Sequence, residues 1–351
     1  MRGTKPWWSR AAIGGARKCA SSRQASPRAP SSTRSITSTA CFSSTGSRIW
    51  TLCAGSKSSR PRKRKPPWRR LRAKATTFLR IVFAGTAAFA VPSLRALYDA
   101  GHDVVLVITQ PDRPGNRGRV TLPPIKVAAQ ELGLPVHQPE KIRDPEVVER
   151  LRDLNPDIMV VVAYGQIIPP SVLSIPSLGV VNVHASLLPR HRGAAPIARA
   201  ILAGDRETGV TIMRMDEQLD HGPILATRST PIGEREDSVA LTARLAEMGA
   251  ELLVETLDRL DDITGVEQNH AKATLAPRLS REDGELGPDM DANEMDRRVR
   301  ALQPWPGATL PTPRGRVKVL SGHVQGERYV PDVVQLPGKK PAPAKQVLGD
   351  A

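Results

Sequence analysis

Four runs in the middle of the chain are apolar at nearly every consecutive position: FLRIVFAGT (78–86), DVVLVITQP (103–111), DIMVVVAYGQIIP (157–169) and LGVVNVHAS (178–186). A strand with one face in water alternates polar and apolar residues. A run without alternation has to be covered on both faces, which is how parallel sheets sit between helices. Between these runs, AFAVPSLRALYDAG (88–101), IKVAAQELG (125–133) and PEVVERLRDLNPD (145–157) place apolar residues at helical spacing. The pattern predicts an α/β domain on a parallel sheet. GVTIMRMD (209–216) and GPILATRSTPI (222–232) add two extended runs, and EDSVALTARLAEMGAELLVETLDRL (236–260) reads as a long amphipathic helix.

The formal charge of +16 suggests a nucleic-acid binder, but it is unevenly placed. Of 51 Lys/Arg and 35 Asp/Glu, 20 basic residues and no acidic ones lie before residue 81, leaving 31 against 35 in the remainder. Residues 1–77 also hold all three cysteines (Cys19, Cys41, Cys53) and four of five tryptophans, amid Ser, Arg and Pro without periodicity. Such a segment cannot bury enough apolar surface to offset ordering and is expected to be disordered. It fits an organelle transit peptide, a nucleic-acid arm at PRKRKPPWRRLRAK (61–74), or residues upstream of the natural start; the last is favoured. The cysteines lack metal-ligand spacing and none follows Cys53, so neither a metal nor a disulfide framework is expected, which suits a cytoplasmic location. No apolar run reaches the ~20 residues of a membrane span, so no membrane partner is expected.

The texture changes after Leu260. Residues 263–285 read as a polar linker, and 286–351 as a small second domain with one helix, a Pro-flanked Trp305 and two short strands at GRVKVLSGHV (315–324) and RYVPDVVQL (328–336). The catalytic portion is expected at 78–262.

In open parallel sheets, ligands bind beyond the carboxyl ends of the strands. Three polar clusters follow such strands: PDRPGNRGRVTLPPIK (111–126), read as a long loop; Tyr164-Gly165; and NVHASLLPRHRGAAPI (182–197). Asn182 and His184 differ by two positions, so on a strand they share a face. LDHG (219–222) is a turn between two extended runs, placed to bring Asp220 alongside. An amide, an imidazole and a carboxylate together suit acyl transfer to an amine: the amide stabilises a developing oxyanion and the imidazole handles protons. Taken alone, an Asn-x-His is more often a strand with a packed histidine.

NVHASLLPRHRGAAPI together with GVTIMRMDEQLDHGPIL (209–225) resembles the folate-dependent formyltransferases, with FAGT (83–86) and VVVAYGQIIP (160–169) extending the likeness. The loop TQPDRPGNRGR (109–119) narrows it to the branch acting on methionyl-tRNA. The resemblance covers about residues 79–350. It implies a Rossmann-like formyltransferase domain followed by a β-barrel-like, OB-type domain. It implies 10-formyltetrahydrofolate as donor, initiator methionyl-tRNA as acceptor, and a monomer. By motif, Asn182, His184 and Asp220 are the catalytic set; Ser186, Leu187, Leu188, Pro189, Tyr164 and Gly165 border the folate; and Arg113, Arg117 and Arg119 meet the tRNA acceptor stem. Ala87-Ala88 stands where the family commonly has Pro-Asp, and the stretch between VKVL (317–320) and QLPGKK (335–340) is shorter than the family's, implying a shortened barrel. Two competing functions remain at this point. One is another folate-dependent N-formyltransferase, acting on a sugar nucleotide or glycinamide ribonucleotide. The other is a non-catalytic RNA-binding protein driven by the basic leader.

Overall fold

The computed structural model describes residues 78–114, 120–313 and 315–349. The basic leader, with its transit, RNA-arm and upstream-start readings, lies outside the described residues, as do Arg117 and Arg119. The first part of the chain runs β1 (Arg80–Gly85), α1 (Val91–Ala100), β2 (Asp103–Ile108), β3 (Arg113–Pro114), β4 (Val120–Thr121), α2 (Pro124–Glu131), β5 (Val136–His137), α3 (Pro145–Asp153), β6 (Ile158–Val162), α4 (Pro170–Leu173), β7 (Val180–His184), α5 (Pro196–Ala203), β8 (Glu207–Arg214), β9 (Ile224–Pro231) and α6 (Ser238–Leu257).

Seven of these strands form one sheet in the order β5-β2-β1-β6-β7-β8-β9. Pairing is parallel from β5 to β7 and antiparallel from β7 through β9. Alternation fills both faces, interrupted in β2 by a bulge that puts Val104 and Leu106 in opposite cores. Ile81, Phe83, Val107, Val160, Val162, Val181 and Val183 belong to one core with residues of α1, α2 and α6. Val82, Ala84, Leu106, Ile108, Met159, Val161 and Val180 belong to the other, with α3 and α4. Each fully buried aliphatic side chain contributes about 1.5–3 kcal/mol. Strand order reverses between β1 and β6, so their carboxyl ends open a crevice.

The polar stretch 111–126, expected as a plain loop, contains a two-stranded ribbon: Arg113 pairs with Thr121 and Pro114 with Val120. Pro114 and Val120 flank, in the sequence, the stretch that contains Arg117.

The second part holds α7 (Ala292–Ala301), β10 (Ala308–Thr312), β11 (Gly315–Gln325), β12 (Arg328–Gln335), β13 (Ala342–Pro343) and α8 (Ala344–Leu348). Its four strands form an antiparallel sheet in sequence order. The shortening seen in the sequence is closed by a hairpin: Gln325 pairs with Arg328, so only two residues turn the chain from β11 into β12. α7 starts on an Asp291 cap to the Glu294 N–H, and α6 on an Asp237 cap to the Ala240 N–H. Ala301 and Leu302, at the end of α7, join the first core, and the Arg199 guanidinium forks onto Asp283 at 2.9 and 3.0 Å, tying the two parts together.

Candidate active site

The alternation that buries Val181 and Val183 on one face of β7 sends Asn182 and His184 to the other, past Val180 at the strand's carboxyl end. There the cover changes from helices to two loops, residues 189–193 and 215–223. The second loop is the excursion between β8 and β9, and it carries Asp220 back over β7. Asn182 Nδ2 donates to Asp220 Oδ1 at 3.4 Å, and His184 Nδ1 lies 3.6 Å from Asp220 Oδ2. Three side chains separated by up to 38 residues therefore meet, as the sequence led us to expect of this trio.

The backbone aims each of them. The His184 Nε2–H donates to the carbonyl of His191 at 2.9 Å, which leaves Nδ1 as the nitrogen turned towards the carboxylate. Asp220 Oδ2 accepts the Gly193 N–H at 2.7 Å. Asp220 has φ +47° and His191 φ +59°, left-handed conformations that cost a non-glycine residue about 1–2 kcal/mol each. Ala163, on the loop after β6, is a third, at +46°. Strained positions of this kind persist where the surroundings hold them. His191 is held by its N–H to Thr274 Oγ1 at 2.9 Å and by its ring Nε2 on Asp205 at 2.7 Å.

The other expected contact residues divide between buried and surface positions. The Tyr164 side chain is buried among Val161, Ile168 and Val172 rather than facing the cleft. Burial pushes its phenol up to about 12, so it stays neutral. Only its backbone is free to serve the site: its carbonyl accepts from Thr86 Oγ1 at 2.8 Å, bridging the ends of β1 and β6, and Gly165 beside it is exposed. In SLLP, Ser186 is fully buried and donates to the Arg190 carbonyl at 2.6 Å, and Leu188 is also buried. These two hold the loop's shape, which leaves half-buried Leu187 and Pro189 as its surface. Arg113 is exposed and donates to Gln110 Oε1 at 3.3 Å.

Several working residues escaped the sequence reading. Thr211, opposite His184 on β8, donates to the Ser186 carbonyl at 2.7 Å and accepts the Leu188 N–H at 3.2 Å. Thr211→Val keeps the shape but strands a buried donor and acceptor, so we expect a stability loss of about 1–3 kcal/mol in denaturant unfolding. An unchanged midpoint would show that the loop does not depend on this hydroxyl. Around Asp220, Asp216 accepts from His221 Nδ1 at 2.6 Å, and the His221 ring stacks on His270 with centroids 4.0 Å apart. Among the described residues no group of His, Cys, Asp or Glu could hold a metal ion, and no helix is long and apolar enough to cross a membrane.

The formyl transferase family model matches residues 79–257, and the model of the formyl transferase C-terminal domain matches residues 278–339. The chain belongs to the formyltransferase family. Among named members, it is 54% identical over 233 residues to the methionyl-tRNA formyltransferase of Methylococcus capsulatus, covering 66% of this chain and 76% of that one. To the methionyl-tRNA formyltransferase of Marinobacter nauticus it is 49% identical over 261 residues, covering 73% and 84%. Of solved formyltransferases, the N-formyltransferase of Helicobacter canadensis, crystallised with folinic acid and dTDP-3-aminofucose, aligns with a TM-score of 0.57 at 18% identity over 71% of this chain and 89% of its own. At that identity the likeness speaks for the formyltransferase fold alone.

Proposed function

We propose that this formyltransferase moves a formyl group from 10-formyltetrahydrofolate to the α-amine of methionyl-initiator-tRNA, with Asn182, His184 and Asp220 as its catalytic residues. The observation that carries this reading is the convergence of those three polar groups at the carboxyl end of β7, in a chain about half identical to methionyl-tRNA formyltransferases.

The folate, when bound, supplies the formyl carbon on nitrogen. The fit of the chain to it rests on half-buried Leu187 and Pro189, on exposed Gly165, and on an amide donor beside a carboxylate. In the transfer, the acceptor nitrogen bonds to the formyl carbon and the carbonyl oxygen gathers negative charge. The bond from that carbon to the carrier nitrogen breaks; the carrier nitrogen takes up a proton as the amine loses one. Asn182, which spends one N–H on Asp220, has a second to donate to that oxygen. His184 and Asp220 receive and return the proton. An α-amine with a pKa near ~8 has a usable neutral fraction at pH 7, so the oxygen's charge is the larger barrier.

The test compares acceptors at fixed 10-formyltetrahydrofolate: initiator methionyl-tRNA, free methionine and amino-sugar nucleotides. Turnover confined to the tRNA supports the reading, and preference for a sugar amine would replace it. Arg117, which lies in the sequence between Pro114 and Val120, is proposed to meet a tRNA phosphate. Arg117→Ala should lower kcat/KM for methionyl-tRNA by roughly 10- to 100-fold, the worth of one charge-assisted hydrogen bond, with folate affinity unchanged. Equal losses for both substrates would remove the tRNA role.

A further inference from the structure

The two family segments end at 257 and resume at 278, and the residues between them look like a connector. The chain instead lays them across the reaction centre. Val266 exchanges both backbone hydrogen bonds with Ile224, each 2.8 Å, just after the Asp220 turn. Eight residues on, the Arg192 N–H donates to the Thr274 carbonyl at 2.8 Å and the Ala276 N–H to the Arg192 carbonyl at 2.7 Å. Residues 266–276 thus stitch together the two loops whose meeting makes the site.

Gln268 lies between these seams and is 5% exposed. Its amide nitrogen donates to two carbonyls of the catalytic turn, Asp220 at 3.0 Å and Gly222 at 2.7 Å. Its amide oxygen accepts from Arg192 Nε at 3.2 Å and Nη2 at 2.6 Å. Arg192 is buried and has no carboxylate partner among the described residues; Nη2 also donates to His270 Nδ1 at 2.8 Å. The neighbouring Gly193 N–H is the group that holds the Asp220 carboxylate. One side chain therefore ties the peptide groups of Asp220 and Gly222 to the loop that grips the Asp220 side chain. Glutamine suits this place on chemical grounds. Glutamate has no hydrogens for the two carbonyls, and asparagine is a methylene shorter.

We propose that Gln268 is a positioning residue for the transfer: it keeps left-handed Asp220 aimed at Asn182 and His184. This rests on the catalytic reading of those three residues. Gln268→Ala should lower kcat for formylation of methionyl-tRNA by about 10- to 100-fold, as expected for sub-ångström misplacement of a reacting group, with both KM values within about two-fold. Gln268→Glu keeps an acceptor for Arg192 and loses the donors, so it should fall as far as alanine. Placed in an Asp220→Asn background, Gln268→Ala should add less than about two-fold, because a residue acting through Asp220 has nothing left to position. A second measurement does not depend on the reaction. Amide hydrogen exchange in a peptide covering 219–224 should quicken in Gln268→Ala, while α6 exchanges as before. Wild-type kcat in Gln268→Ala, a multiplicative loss in the double variant, or unchanged exchange at 219–224 would each overturn the proposal. A wild-type chain inactive on methionyl-tRNA whose Gln268→Ala variant still shows the local exchange change would sink the function instead and leave the clamp standing.

Discussion

Asp220→Asn is expected to lower kcat by about 10²- to 10⁴-fold while the protein stays folded. The substitution preserves shape, so the loss would come from hydrogen-bond polarity and charge. One carboxylate oxygen accepts the Gly193 N–H at 2.7 Å, the other accepts from Asn182, and the first also faces His184 Nδ1. An amide has one oxygen to offer. If that oxygen turns to Gly193, its NH₂ meets the NH₂ of Asn182 and pushes that amide aside. If it turns to Asn182, the Gly193 N–H faces another donor. In either orientation the negative charge beside the imidazole is gone. Steady-state kinetics with a thermal melt separates the outcomes: a kcat within about three-fold of wild type would mean the carboxylate plays no part in the chemistry.

Gly222→Ala should damage both stability and turnover. Nothing about its backbone angle requires glycine; the space does. A Cβ there would lie 2.2 Å from the carbonyl oxygen of Arg214 and 3.2 Å from its carbon, backbone atoms that cannot swing away. Those atoms are anchored, since the Arg214 N–H donates to Pro223 and the Met215 N–H to Val180. Relief therefore has to come from moving the turn, which carries Asp220 two residues earlier and the Gly222 carbonyl that Gln268 holds. Overpacking of this kind costs about 1–3 kcal/mol, and a shift of about an ångström at a reacting group costs roughly 100-fold in rate. Thermal unfolding and kcat on the same preparation check both. An alanine variant with wild-type melting and turnover would show that the turn is far softer than its contacts imply.

What the sequence made legible, and what it hid, follow from what leaves a pattern. Runs without alternation announced the sheet, because burial on both faces constrains every position of β1, β2, β6 and β7. The same period of two put Asn182 and His184 on one face. The rule breaks after β6: Tyr164, expected near the folate by resemblance alone, follows Val162 by two, yet Val162 and Tyr164 lie in opposite cores. Left-handed Ala163 between them turns the chain over, and no residue type marks that turn. The ribbon around the Arg loop was missed because two-residue strands carry too little periodicity to register. Gln268, Thr211 and the pairing of His191 with Asp205 were hidden for another reason. Each is a buried polar group satisfied by partners far away in the chain, and hydropathy has no signature for such a group. VEQNHAKATLAPRLS is polar and aperiodic whether it floats or is stitched down.

That stitching decides where the molecule can be divided. The gap between its two homologous segments invites a cut after Leu257, and a piece ending there would still own Asn182, His184 and Asp220. It would have shed the strand-like edging along Ile224 and Arg192, and with it the amide that braces the turn. A fragment meant to keep the Asp220 turn braced has to extend at least through Ala276, past the boundary that homology alone would draw.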